Sequence, residues 1–189
     1  MSPVTGPYQR GRLLVASPAL VDPNFARTVI LMLEHGDEGA LGLVLNRPTD
    51  TTVADTLPTL KELAAPPAVI HVGGPVSPTA AICLGHLRPG ASGGEGVEPL
   101  FDGLASVDVD AQPELLAAEL DGVRVFAGYA GWGAGQLEGE LEQGGWIVVD
   151  SAAGDVFDTR PDGLWRAVLR RQRPALAMLA NFPEDLSLN

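Results

Sequence analysis

The chain has 189 residues, 46% hydrophobic and 19% charged, which suits one compact domain with its own core and excludes a disordered polypeptide. A net charge of −12 repels phosphate backbones and anionic lipid, so neither nucleic acid nor a membrane is an expected partner. The single cysteine, Cys83, excludes an internal disulfide and fits a reducing cytoplasm, the expected location.

The first ten residues read as a flexible N-terminus. They carry neither a basic n-region nor an apolar h-region, so no secretory signal is expected. Residues 13–16, 28–33 and 41–45 read as strands bounded by Pro18, Pro23 and Pro48. The Gly36-Asp-Glu-Gly39 link makes the second and third a hairpin. These apolar runs are too short to span a bilayer. Residues 53–63 are weakly helical, interrupted by Pro58. Residues 69–72 and 80–84 read as strands around a sharp reversal at Gly73-Gly74-Pro75. Residues 88–99 read as a mobile loop, because four glycines without apolar anchors cannot repay their ordering entropy.

Asp110 can cap a helix over residues 111–120, with Gly122 as its stop. Residues 123–127 form an apolar strand. Five glycines follow in the twelve residues from Gly128 to Gly139, with Tyr129 and Trp132 among them. This segment reads as a strand-to-helix turn leading into a helix over residues 136–143, which Gly144-Gly145 ends. A strand over residues 146–149 comes next. Pro161 opens a helix running to about Arg173, with Leu164, Trp165, Val168 and Leu169 on one face. Strands come first and helices mostly later. The pattern is α+β: a single compact domain over residues 11–180, a mixed or antiparallel β core flanked by a few helices, and a tail over 181–189.

The glycine-rich turn is not a dinucleotide fingerprint, because Gln136 and Glu138 stand where the third glycine belongs. No Lys-Ser/Thr pair makes it a P-loop, and no serine makes it a nucleophile elbow. Glu138 and Glu140 already complement the helix dipole, which weighs against an anion site. Two readings remain. The glycines let helix and sheet pack closely with Tyr129 and Trp132 in the core, or the aromatics line a binding site.

Arg27, entering an apolar strand, needs a partner, and Asp22 or Glu34 could supply it. It is a structural ion pair or an anion clamp. Glu34-His35 could form an acid–base pair, although adjacent strand residues point to opposite faces. His71 and His86 show no ligand spacing, so no metal or other cofactor is expected. Cys83 reads as a small buried hydrophobe. Arg166, Arg170, Arg171 and Arg173 place four of the twelve basic residues within eight positions. They could touch DNA, or pair with the protein's own excess acid.

Taken in order, several motifs resemble the AlgH/YqgE family of uncharacterised bacterial proteins. They are Gly11-Arg-Leu-Leu-Val-Ala-Ser-Pro18, Asp22-Pro-Asn-Phe-Ala-Arg-Thr-Val29, Glu34-His35, Gly39-Ala-Leu-Gly-Leu-Val-Leu-Asn-Arg-Pro48, Gly73-Gly-Pro75, Gly128-Tyr-Ala-Gly-Trp132 and Gly135-Gln-Leu-Glu138 with Trp146. The resemblance spans residue 11 to about 165. It implies an AlgH-like α+β domain and a cytoplasmic bacterial protein. It also implies a transcriptional-regulator role, since some members are described as regulators of alginate synthesis. Many relatives carry a cysteine before the Glu-His pair, where this chain has Leu33, so a thiol role does not carry over. The Asn181-Phe-Pro-Glu-Asp-Leu end looks like a variant of the family tail.

The expectation is therefore a non-enzymatic domain that binds a small molecule or protein and regulates indirectly. Its candidate ligand-binding residues are Arg27, Glu34, His35, Asn46, Tyr129 and Trp132. One alternative is a small hydrolase using Glu34 or His35 as base. Another is a direct DNA-binding regulator acting through the arginines of residues 166–173. No residue is assigned a catalytic or metal-binding role, and the sequence names no ligand, partner or oligomeric state.

Overall fold

Strand pairing organises the chain. The computed structural model describes residues 8–184, in which ten strands join one curled sheet. The N-terminus expected to be flexible lies outside the described residues as far as residue 7, and the expected tail does so from residue 185. β1 (Arg12–Ala16), β2 (Val29–Gly36) and β3 (Gly39–Val44) form an antiparallel meander, and β10 (Trp146–Asp150) pairs outside β1. The Asp37-Glu38 link between β2 and β3 is the expected hairpin. Near-continuous apolarity in these strands reflects burial on both faces. Leu13, Val15, Val29, Leu31 and Leu43 enter one core cluster, while Leu14, Ala16, Ile30, Met32 and Val44 enter another on the opposite face.

The spine of the sheet is β9 (Leu120–Gly133). On one side it pairs antiparallel with β6 (Val76–Leu87), beyond which lie β8 (Leu104–Val107) and β7 (Val97–Pro99). On the other side it pairs in parallel with β5 (Val69–Val72) and then antiparallel with β3. β4 (Pro48–Thr52) flanks β5. The short helix α1 (Val53–Thr56) ends before Pro58, where a 3₁₀ turn takes over. α2 (Pro113–Glu119) leads straight into β9, and α3 (Gln136–Glu142) follows it. α4 (Leu164–Arg170) buries Leu164, Trp165, Val168 and Leu169 against the first cluster, and α5 (Pro174–Ala177) follows.

Several boundaries differ from the sequence reading. β9 continues through Gly128, Tyr129, Gly131 and Trp132, so only Ala134 and Gly135 connect it to α3. The reversal at Gly73-Gly74 is a crossing and not a hairpin: it carries the chain from the β5 side of β9 to the β6 side. A Cβ on Gly73 would overlap the Gly128 carbonyl, and one on Gly128 would overlap the Gly74 carbonyl. Glycine is needed there because two backbones touch. Asp110 does not cap α2. Its own N–H donates to Asp108 Oδ1 at 2.9 Å, and Gln112 holds the N-cap position without a side-chain bond. Gly122 lies inside β9 and stops nothing, because the helix has already become strand at Leu120. The segment 88–99 does have an anchor: Val97 is buried in the second cluster and starts β7. α4 stops at Arg170 and Pro174 starts a new helix, since the residue before proline avoids helical angles. Among the described residues no helix is long and apolar enough to cross a membrane.

Candidate functional site

The hairpin of β2 and β3 carries two of the six candidate residues, Glu34 and His35. Met32 pairs with Gly42 but Glu34 pairs with Leu41, so Leu33 is an extra residue in β2. Such a bulge re-aims the side chains that follow it. Glu34 is exposed and His35 turns inward. Glu34, Glu38, Val76, Tyr129 and Trp132 line a shallow groove of about 430 Å³. Along it, Ala130 to Gly133 of β9 pair with β3 on one side, while the ladder with β6 ends at Tyr129.

His35 lies behind the groove with its side chain 1% exposed. The Gln9 backbone N–H donates to Nδ1 at 2.9 Å, and Nε2 lies 2.8 Å from Glu138 Oε1. Because Nδ1 accepts, Nε2 carries the hydrogen and donates it to the carboxylate. Glu138's own backbone N–H, and then His35, hold its carboxyl below the usual range. Tyr8 packs edge-on against the imidazole and its hydroxyl donates to Asp37, which pushes the phenol pKa up. Both ring nitrogens are therefore occupied, and the partner is Glu138 rather than the adjacent Glu34.

Trp132 is 7% exposed. Its indole N–H and that of Trp146 both donate to Glu140 Oε2, at 2.9 and 2.8 Å, and Gln136 donates to the other oxygen at 3.1 Å. Phe25 stacks on Trp132 and meets Trp146 edge-on. Glu138 and Glu140 thus tie α3 to the sheet, beyond any contribution to its dipole. Neither role is written in residue type or spacing, although Gln136, Glu138 and Trp146 belong to the motifs that resemble the family.

Arg27 and Asn46 are not part of this groove. They flank the far end of the hairpin, an eight-residue strand or roughly 25 Å away. Asn46 is buried, accepts from the Val29 N–H at 2.9 Å and donates to the Arg27 carbonyl at 2.8 Å. Arg27 has a positive φ of 57° and pairs with neither Asp22 nor Glu34. Asp22 is engaged in its own turn with the Asn24 N–H. Arg27 instead lies 4.3 Å over the Trp165 ring and donates to the Phe182 and Pro183 carbonyls. Desolvation, then the nearby Arg166, lowers its pKa, while Glu184 opposes them. Arg166 also reaches Ala180 O and Glu184, so the two arginines strap residues 180–184 across Trp165. Arg171 forms a two-point pair with Asp155 at 2.5 and 2.7 Å, which raises its pKa.

Cys83 is 2% exposed, and burial pushes its thiol up to about 12. Among the described residues no group of three or more His, Cys, Asp or Glu is placed to hold a metal.

The curled sheet, the glycine crossing and the β2–β3 groove define a single α+β domain of AlgH-like architecture. A crystal structure of a Corynebacterium diphtheriae protein aligns over 94% of both chains with a TM-score of 0.88 and 30% identity. The solution structure of the AlgH protein from Pseudomonas aeruginosa aligns over 98% of this chain and all of its own, with a TM-score of 0.68 and 33% identity. A UPF0301 protein of Streptomyces coelicolor is 53% identical over 95% of this chain and 94% of its own length. The AlgH-like family profile matches residues 13–177, and the chain belongs to that family.

Proposed function

We infer that this protein is a non-enzymatic binding domain whose groove beside β9 receives an extended, basic segment of a partner protein. Regulation would then be indirect, exerted through that partner. The carrying observation is the convergence of Glu34, Glu38, Tyr129 and Trp132 along a stretch of β9 paired on one side only. An edge of that kind offers main-chain hydrogen bonds to an added strand, and the two carboxylates favour lysine or arginine on it. Aromatic side chains give such a contact apolar area at low entropic cost. The hydrolase alternative has less support, because both His35 nitrogens are engaged and the ring is covered.

The test is titration of the ¹⁵N-labelled protein with a lysine-rich extended peptide. The expected result is saturable shifts at Tyr129, Gly131 and Glu38, lost in Glu34→Lys and reduced in Tyr129→Ser. Absence of binding, or binding that both substitutions leave intact, overturns this reading.

A further inference from the structure

A separate hollow of about 290 Å³ lies between the β7–β8 turn and the loop that follows β10. Its size is at the small end of ligand pockets. Leu31, Leu104, Val156 and Phe157 make its floor, and His86, Asp102 and Ser151 supply its polar rim.

The hydrogen-bond roles of those three residues are fixed from behind. His86 Nδ1 lies 2.7 Å from Asp121 Oδ1. A carboxylate only accepts, so Nδ1 carries the hydrogen, and in the neutral imidazole Nε2 keeps its lone pair. Phe157 packs edge-on against the imidazole at 5.8 Å. Nε2 has no hydrogen-bond partner among the described residues, and it faces Gly103, where even a Cβ would come to 3.8 Å. The missing side chain at 103 leaves that nitrogen uncovered. Ser151 Oγ donates its hydrogen to Gly11 O at 2.8 Å, so only lone pairs remain for a ligand. Asp102 is exposed on the turn. Asp155, also on the wall, is neutralised by Arg171 and bonded by the Ala152 N–H at 2.6 Å.

All three rim side chains therefore offer acceptors above an apolar floor, and one of them, Asp102, is a carboxylate with no ion-pair partner among the described residues. We propose that this hollow binds a small organic ammonium ion. The ammonium group donates to His86 Nε2, Asp102 and Ser151 Oγ, and its carbon body lies on Leu104, Val156 and Phe157. The site shares no residue with the groove beside β9, so either can fail without the other.

The test is titration of the ¹⁵N-labelled full chain with n-butylammonium, n-butanol and butyrate at one ionic strength. Butylammonium alone is expected to give saturable shifts at Gly103 and across residues 151–157. Binding should weaken roughly tenfold or more in Asp102→Asn and in His86→Gln, as loss of a charge-assisted or buried hydrogen bond does. Asparagine also tolerates the positive φ of 51° at position 102, so the turn persists in that variant. An equal response to butanol or butyrate, shifts that never saturate, no response, or binding unchanged in both variants overturns the proposal.

Discussion

His71 is wholly buried on β5, its Nδ1 3.2 Å from Val69 O and its Nε2 without a hydrogen-bond partner among the described residues. Burial, and then the nearby Arg124 guanidinium, push its pKa down to about 4. Arg124 is itself 2% exposed, with carbonyls of Asp158, Ala65 and Pro66 as its acceptors. The native state therefore resists a proton that the unfolded chain takes up near pH 6.5. Stability from this residue is intact above that pH and is lost as pH falls towards 4, with no further loss below. The window is worth at most about 3 kcal/mol, at ~1.4 kcal/mol per pKa unit. Urea unfolding of wild type and His71→Leu from pH 7 to 4 checks this, because the difference cancels the carboxylates common to both. The variant should show the shallower decline, and parallel curves would remove the assignment. The need for partners was readable from residue type at Arg27 and His35, but the partners were not. Those of Arg27 lie 155 and 156 residues away and the Glu138 partner of His35 lies 103 away, distances over which local patterns say nothing.

At the scale of elements, the strands that carry continuous apolar runs were legible, because burial on both faces writes itself into composition. β4, made of Pro-Thr-Asp-Thr-Thr, has no such run and owes its place to pairing with β5. Dense glycine normally signals a turn, so the sequence pattern ends β9 at residue 127. Gly128 serves a crossing of two backbones instead, which no one-dimensional pattern announces. The hairpin itself could be read, but not the bulge that separates Glu34 from His35 and gives each a different environment. Gly128 and Gly139 should therefore respond oppositely to alanine. At Gly128 a Cβ meets the Gly74 and Val76 carbonyls and φ is +71°, so Gly128→Ala should cost about 2 kcal/mol or more. At Gly139, inside α3, nothing lies within 4 Å, so Gly139→Ala should add roughly 0.5–1 kcal/mol. Calorimetric melting of the two variants decides it, and equal shifts would refute the crossing as a constraint.

Across the whole molecule, charge constrains function more than any single motif. The net charge is −12, and the only dense run of arginines is partly spent inside the fold. Arg166 holds Ala180 and Glu184, and Arg171 holds Asp155. That leaves Arg170 and Arg173 of the four to face a phosphate backbone, against a surface that repels one. Specific DNA binders draw much of their affinity from phosphate contacts and counterion release, a contribution two arginines on an acidic protein supply poorly. Gel-shift titration with duplex DNA at physiological salt should accordingly give no complex, for wild type and for Arg170→Ala/Arg173→Ala alike. A complex at that salt, with a salt slope that falls by about one for each arginine removed, would show phosphate contacts through this helix and sink the argument. A complex seen only at low salt and indifferent to both substitutions would be non-specific attraction, and would leave the proposal of a protein partner standing.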